Sequence, residues 1–214
     1  VTPLDIVSDP ICPWCHIGKA NLFRALDQRP GHTFLLRWRP FQLNPDMASG
    51  GMDRRAYLEA KFGGAARVDA AEAQVSEAAA RAGLSIDWAR VTRVPNTLDA
   101  HRLLRWAAIE RRQTPVALAL FSAYWDQGQD IGDHAVLAGI AASAGMDRGA
   151  TARLLAGDAD RAEVQAEDAE ARRIGITGVP TFIVGGRHAV VGAQPPETWA
   201  AAIDDLARMS ATLQ

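Results

Sequence analysis

The sequence predicts a mixed α/β fold, with a small sheet domain built from both ends of the chain and a helical domain inserted between them. Three observations carry this. Short alternating β runs occur only toward the two ends, the stretch between them reads as successive capped helices, and the first strand gives way to a helix through Cys12-Pro13-Trp14-Cys15. The expected order is β-α-β, a helical block, then α-β-β-α. In this reading residues 1–48 and 159–214 form the sheet domain and 49–158 the insertion, the whole making one unit.

Val1 to Ser8 is the first β run, and Ile17-Gly18-Lys19-Ala20-Asn21-Leu22-Phe23 continues beyond the dithiol as a helix closing near 28–31. Phe34, Leu36 and Trp38 alternate on one face of a second strand, which Pro40 stops. Strands joined through a helix pair parallel with a right-handed crossover. From about residue 50 helices take over. Asp69-Ala70-Ala71-Glu72 predicts a capping box and Gly83 a stop. Asn96 or Thr97 caps a helix reaching about Arg112, and another spans Pro115 to Asp126. Asp133 opens a helix closed by Gly145, and Asp147 a short one closed by Gly157. Asp160-Arg161-Ala162-Glu163 predicts a second capping box, on a helix ending at Gly175. Thr181 to Val184 and His188 to Val191 flank Gly185-Gly186, a hairpin signal with a two-residue turn. A last helix opens at Pro195-Pro196, with Trp199, Ile203 and Leu206 on one face. Trp38, Trp106 and Trp125 fall at periodic apolar positions and are expected in the core.

Composition excludes several classes. At 48% hydrophobic and 22% charged residues, the 214-residue chain reads as an ordinary globular protein. A net charge of −2 gives no electrostatic case for nucleic acid or a membrane surface. No apolar run reaches the length of a membrane span. Lys19 and Lys61 are the only lysines, a bias that, with the many alanines, fits a GC-rich genome. Two cysteines, and a chain that opens directly on a strand, lead to the expectation of a reducing, cytoplasmic compartment. Oligomeric state leaves no trace in the sequence.

The dithiol holds both cysteines of the chain. Cys12 is placed at or just before the first helical turn, where unpaired N–H groups and the positive end of the helix dipole favour a thiolate. Pro13 suits the first helical position because it lacks an N–H that would go unpaired there. A structural zinc site needs four ligands; no second C-x-x-C exists, and the histidines at 16, 32, 101, 134 and 188 show no completing spacing, so no metal is expected. A structural disulfide over so small a loop stabilises little. Cys12-Pro13-Trp14-Cys15-His16 also matches the haem-attachment signature C-x-x-C-H, but Pro13 has no evident use there. Redox chemistry is the reading that uses every feature.

Four segments carry a family likeness: 9–18 around the dithiol, Trp38-Arg39-Pro40-Phe41-Gln42-Leu43-Asn44-Pro45, Asn96-Thr97-Leu98-Asp99-Ala100-His101-Arg102, and 175–182 around Gly178-Val179-Pro180-Thr181-Phe182. With them the chain resembles DsbA-like members of the thioredoxin superfamily, closest to the FrnE-like branch. That branch shares its domain with 2-hydroxychromene-2-carboxylate isomerases and kappa-class glutathione transferases. The resemblance implies a thioredoxin fold with a helical insertion, and a cis Pro180 packed beside the C-x-x-C. It also implies that the Val179 backbone pairs with an extended substrate.

The expected activity is thiol–disulfide exchange with protein or small-molecule disulfides and dithiols. Cys12 acts as the exposed nucleophile and Cys15, one turn in and more buried, as the resolving thiol. No cofactor is obligatory, and glutathione is a candidate redox partner. Pro13, Trp14, Val179 and Pro180 are expected to border the substrate. Trp14 puts an apolar ring where exported strong oxidants carry histidine, which predicts a less oxidising couple. Asp9 either relays the Cys15 proton or caps the helix; His16 either adds positive charge or lies on the surface. Asn96 and His101 either contact a substrate or serve as a cap and a surface or core residue. Rival functions are a glutathione-dependent isomerase or transferase and a redox-linked chaperone. The isomerase reading is weakened by both cysteines being present, where such enzymes typically carry serine first.

Overall fold

The computed structural model describes residues 1–212. Four strands form the main sheet: β1 (Thr2–Ser8), β2 (Phe34–Pro40), β5 (Thr181–Val184) and β6 (His188–Val191), in the order β2-β1-β5-β6. β1 runs parallel to β2, pairing Ile6 with Trp38, and antiparallel to β5, pairing Ile6 with Phe182. It therefore has hydrogen-bonded neighbours on both sides, and Leu4, Ile6 and Val7 are buried.

Period-two alternation sends those residues to two cores. Leu4 and Ile6 join the main core with Leu22 and Leu26 of α1 (Pro13–Asp27), Phe182, and Trp199 of α9 (Pro196–Thr212). Val7 joins Phe41, Ala171 and Ile176 beneath α8 (Arg161–Arg173) on the other face. Beside Val7, Asp5 pairs with Arg37 at 3.0 Å and Arg39 at 2.8 Å.

The helical block comprises α2 (Arg54–Phe62), α3 (Ala65–Arg81), α4 (Leu98–Ile109), α5 (Gln113–Trp125), α6 (His134–Ser143) and α7 (Arg148–Ala156). Its apolar faces do not form a separate core. Leu103, Leu120 and Trp125 belong to the same buried cluster as Leu4 and Phe182, and so do Trp38 and Trp106. α3 also presses Val75, Ala78 and Ala79 onto Ile17 of α1, so α1 is clasped between sheet and insertion. No helix among the described residues is long and apolar enough to cross a membrane.

Several local expectations are corrected. Asp69 caps nothing: α3 begins at Ala65 behind Gly64 (φ 125°), and Asp69, a turn later, pairs with Arg55 at 2.7 Å. Asp160 does precede α8, but with φ 57° its side chain makes no capping bond. Its carboxylate instead accepts from Trp106 Nε1 at 2.8 Å and Arg105 Nε at 2.9 Å. The hairpin turn holds three residues, Gly185, Gly186 and Arg187, with positive φ at both glycines. α4 stops at Ile109, short of Arg112. A two-stranded ribbon, β3 (Met52–Asp53) with β4 (Arg93–Val94), interrupts the stretch read as purely helical. Its strands are too short to register as a period.

Arg102 ties the insertion together. Its side chain is 0% exposed, pairs with Asp99 at 2.8 Å, and donates to the carbonyls of Leu154, Gly157 and Ala159 at 2.7 Å each. Removing it leaves three carbonyls without this donor, takes one of three partners from half-buried Asp99, which keeps His134 and Arg161, and empties a fully buried site. Arg102→Ala is expected to cost about 3–5 kcal/mol in urea unfolding, while the same change at exposed Arg81 costs under about 0.5 kcal/mol.

Candidate functional site

β1 delivers its carboxyl end to the amino end of α1, and every candidate reactive group gathers at that junction. Cys12 is the N-cap of α1 (φ −81°, ψ 118°), with Pro13 at the first helical position. The Cys15 N–H reaches the Cys12 sulfur at 3.4 Å, and the Cys12 N–H donates to the Asp9 carbonyl at 3.0 Å. A sulfur in the N-cap place meets helix N–H groups and the positive end of the dipole, both of which favour negative charge.

The two sulfurs differ in what they face. Both are buried, Cys12 at 3% and Cys15 at 2%, so the expected contrast in exposure is absent. Only Cys12 lines the adjoining cleft, a space of about 350 Å³ bordered also by Trp14, Leu43, Tyr57, Trp88 and Val179. Burial pushes the Cys15 thiol well above its ordinary range, and a hydrogen bond to the Cys12 sulfur pushes it further. The Asp9 backbone N–H acts in the opposite sense.

The Val179–Pro180 bond is cis, and the Cys12 Sγ lies 3.6 Å from the Val179 carbonyl. Pro180 leans on α1 at Gly18, where an added Cβ would meet Pro180 Cγ at 3.0 Å. A glycine there lets helix and loop approach closely; any side chain would require Pro180 to shift by a few tenths of an ångström. Trp14, 40% exposed, stands on the cleft wall, and Pro13 is half-buried beside it.

Asp9 is fully buried. Its carboxylate accepts from the Ile11 N–H (3.3 Å), the Leu43 N–H (2.8 Å) and the Thr97 hydroxyl (3.2 Å). Loss of water nonetheless dominates and raises its pKa to about 7. It does not cap α1; the N-cap is Cys12.

His16 is neither cationic nor on the surface. It is buried at 1%, stacked 5.9 Å from both Phe121 and Trp125, and desolvation lowers its pKa to about 3. Asn96 does not line the cleft at the dithiol. It accepts from the Leu98 N–H at 2.9 Å and donates to the Met47 carbonyl at 2.6 Å, so it satisfies the first N–H of α4 from just before the N-cap, Thr97, and pins the loop after β2. His101 is buried, 2% exposed, within 4.0 Å of Asp9 and outside the cleft lining.

The cleft also holds residues the sequence did not single out. Tyr57 and Lys61, one turn apart on α2, meet Asn44: the Tyr57 hydroxyl donates to Asn44 Oδ1, and Lys61 Nζ reaches the Tyr57 oxygen at 3.0 Å. Their i, i+4 spacing was a signal, though shared by any helix face. Arg54, the other cation on the cleft wall, is paired with Glu72 at 2.6 Å.

A model of the DSBA-like thioredoxin domain matches residues 3–204. The chain belongs to this family. A probable DsbA oxidoreductase from Streptomyces coelicolor is 31% identical, with a TM-score of 0.85 over 96% of this chain and 89% of its own. The Bacillus subtilis protein YwbO is 26% identical over 94% of this chain and 96% of its own length. The cytosolic disulfide reductase DsbM from Pseudomonas aeruginosa, 19% identical, shares the fold at a TM-score of 0.69 over 97% of this chain and 99% of its own. The DsbA-like fold and family expected from the sequence are thus established.

The buried carboxylate sets a pH dependence. Asp9 holds its proton to about pH 7 when folded but only to its ordinary 3.8 when unfolded. Between those values the native state binds the extra proton, so its contribution to stability falls as pH rises. His16 and His101, both lowered, act oppositely below about pH 6.5. Asp9→Asn isolates the carboxylate. From pH 4 to 7.5 the reduced wild type is expected to lose up to about 4 kcal/mol relative to Asp9→Asn in urea titrations. A constant difference would contradict the burial argument.

Proposed function

We propose that the protein is a thiol–disulfide oxidoreductase in which Cys12 attacks a substrate disulfide and Cys15 resolves the mixed disulfide. One observation carries this reading. The Cys12 sulfur sits on the cleft wall at a helix N-terminus beside the Val179 carbonyl, with Cys15 one turn behind it and out of the cleft.

The steps balance within the two sulfurs. The Cys12 thiolate forms a bond to one substrate sulfur, and the other leaves as a thiolate that takes up a proton. Cys15 then gives its proton to the Asp9 carboxylate and attacks the Cys12 sulfur, releasing the second substrate thiolate. The substrate gains two electrons and the protein holds a Cys12–Cys15 disulfide. Run backwards, the steps oxidise a dithiol. The high pKa of Cys15 keeps it protonated until a mixed disulfide forms. Asp9, near neutrality, suits a proton acceptor at physiological pH.

Pro13 and Trp14 line the cleft beside the reacting sulfur, Pro180 supports α1 from behind at Gly18, and an extended substrate backbone would lie along Val179. Protein and small-molecule disulfides both fit the chemistry. Glutathione is the proposed low-molecular-weight partner, a reading supported by the structure of DsbM with GSH on the same fold. A cytoplasmic site of action agrees with DsbM being a cytosolic reductase. Trp14 brings an uncharged, largely apolar ring beside the thiolate where a histidine would bring positive charge, which favours a reducing rather than strongly oxidising couple.

Insulin reduction with a thiol donor tests the reading. Cys12→Ser is expected to lose all turnover, whereas Cys15→Ser accumulates a mixed disulfide on Cys12, seen as a mass increment that reductant removes. Turnover by Cys12→Ser would end it.

A further inference from the structure

His101 has no part in the exchange described above, yet it lies next to the proton acceptor. Its Nε2 stands 4.0 Å from Asp9 Oδ1, ~1 Å beyond a hydrogen bond. No hydrogen bond of good geometry reaches either ring nitrogen, although the Phe41 backbone lies close enough to favour the protonated ring weakly. Burying an imidazole with at most one poorly formed hydrogen bond costs up to about 1–3 kcal/mol, a penalty an apolar side chain of the same shape largely avoids. The same ring lines a second cavity of about 220 Å³ between β2, α4, α5 and α8. That cavity shares no lining residue with the cleft at Cys12, and Ile109 on its wall is 76% exposed.

We propose that His101 passes the Cys15 proton from Asp9 to solvent in this second cavity, so that the proton leaves by a route separate from the substrate. The inference rests on the dithiol reading, with Cys15 as the resolving thiol. As Cys15 attacks Cys12, its proton moves to the Asp9 carboxylate. A small tilt of the ring lets one nitrogen of His101 take that proton while the other releases one into the cavity. No electrons move in this step, and the ring ends neutral.

Charges around the ring suit a neutral relay. Desolvation lowers the pKa of His101 to about 4. Asp168 on α8 opposes this but is itself paired with Arg172 at 3.1 Å. Arg39 of β2, Arg105 of α4 and Glu167 of α8 line the cavity, where Arg105 and Glu167 pair with each other and Arg39 with Asp5. His101 touches neither sulfur nor substrate, so it is a positioning residue acting through Asp9.

The two steps are separable with an aromatic disulfide that releases coloured nitrothiobenzoate. The first release reports attack by Cys12, and the second reports resolution by Cys15. His101→Gln is expected to slow the second release roughly tenfold or more while leaving the first unchanged. In His101→Ala, which opens the ring's place to the cavity, added imidazole is expected to restore the second release. Wild-type rates in both variants, or slowing that imidazole does not relieve, would overturn the relay. A wild-type protein lacking any second release would instead overturn the dithiol reading itself.

Discussion

The site depends on β1 being hydrogen-bonded on both sides. Parallel pairing with β2 and antiparallel pairing with β5 fix where its carboxyl end emerges. From that end the chain turns through Asp9 into the N-cap of α1. The same pairing brings Val179, just before β5, against Cys12. Residues 167 positions apart in sequence therefore meet without any side chain having to hold them. Gly18 completes the arrangement by letting α1 approach Pro180 closely.

Burial then makes the two cysteines unequal. Accessible area does not distinguish them, since both are nearly dry. Their surroundings do. Cys12 has a cleft before it and a helix N–H behind it, whereas Cys15 lies outside the cleft, hydrogen-bonded to the Cys12 sulfur and within the electrostatic reach of buried Asp9. In a dry setting hydrogen bonds and charges are worth more than in water, so small differences in orientation separate the roles. Asp9 belongs to the same economy: three donors hold it, yet loss of hydration outweighs them.

Much of this was legible in the sequence. The dithiol at a strand–helix junction, the cap residues Asp133 and Asp147, and the apolar spacing of Trp199 and Ile203 each encode local geometry, and each stands where expected. What failed was local chemistry overridden by partners distant in sequence. Asp160 had the sequence of a capping box, but Trp106 and Arg105 claim its carboxylate. Asp69 lost its place to the Gly63–Gly64 break, and there Arg55 claims it. His16 looked like a first-turn polar residue because nothing local announces the aromatic pair from α5 that covers it. The cavity beside His101 is likewise a product of four elements meeting, and no window of sequence contains it.

The account's central claim is that position, rather than accessible area, makes Cys12 the reactive sulfur and Cys15 the reserved one. Site-resolved alkylation of the reduced native protein near neutral pH tests it most directly, with peptide masses reporting each cysteine. Label is expected on Cys12 first, with Cys15 modified only after unfolding. Label appearing on Cys15 first, or on both at equal rates, would contradict it.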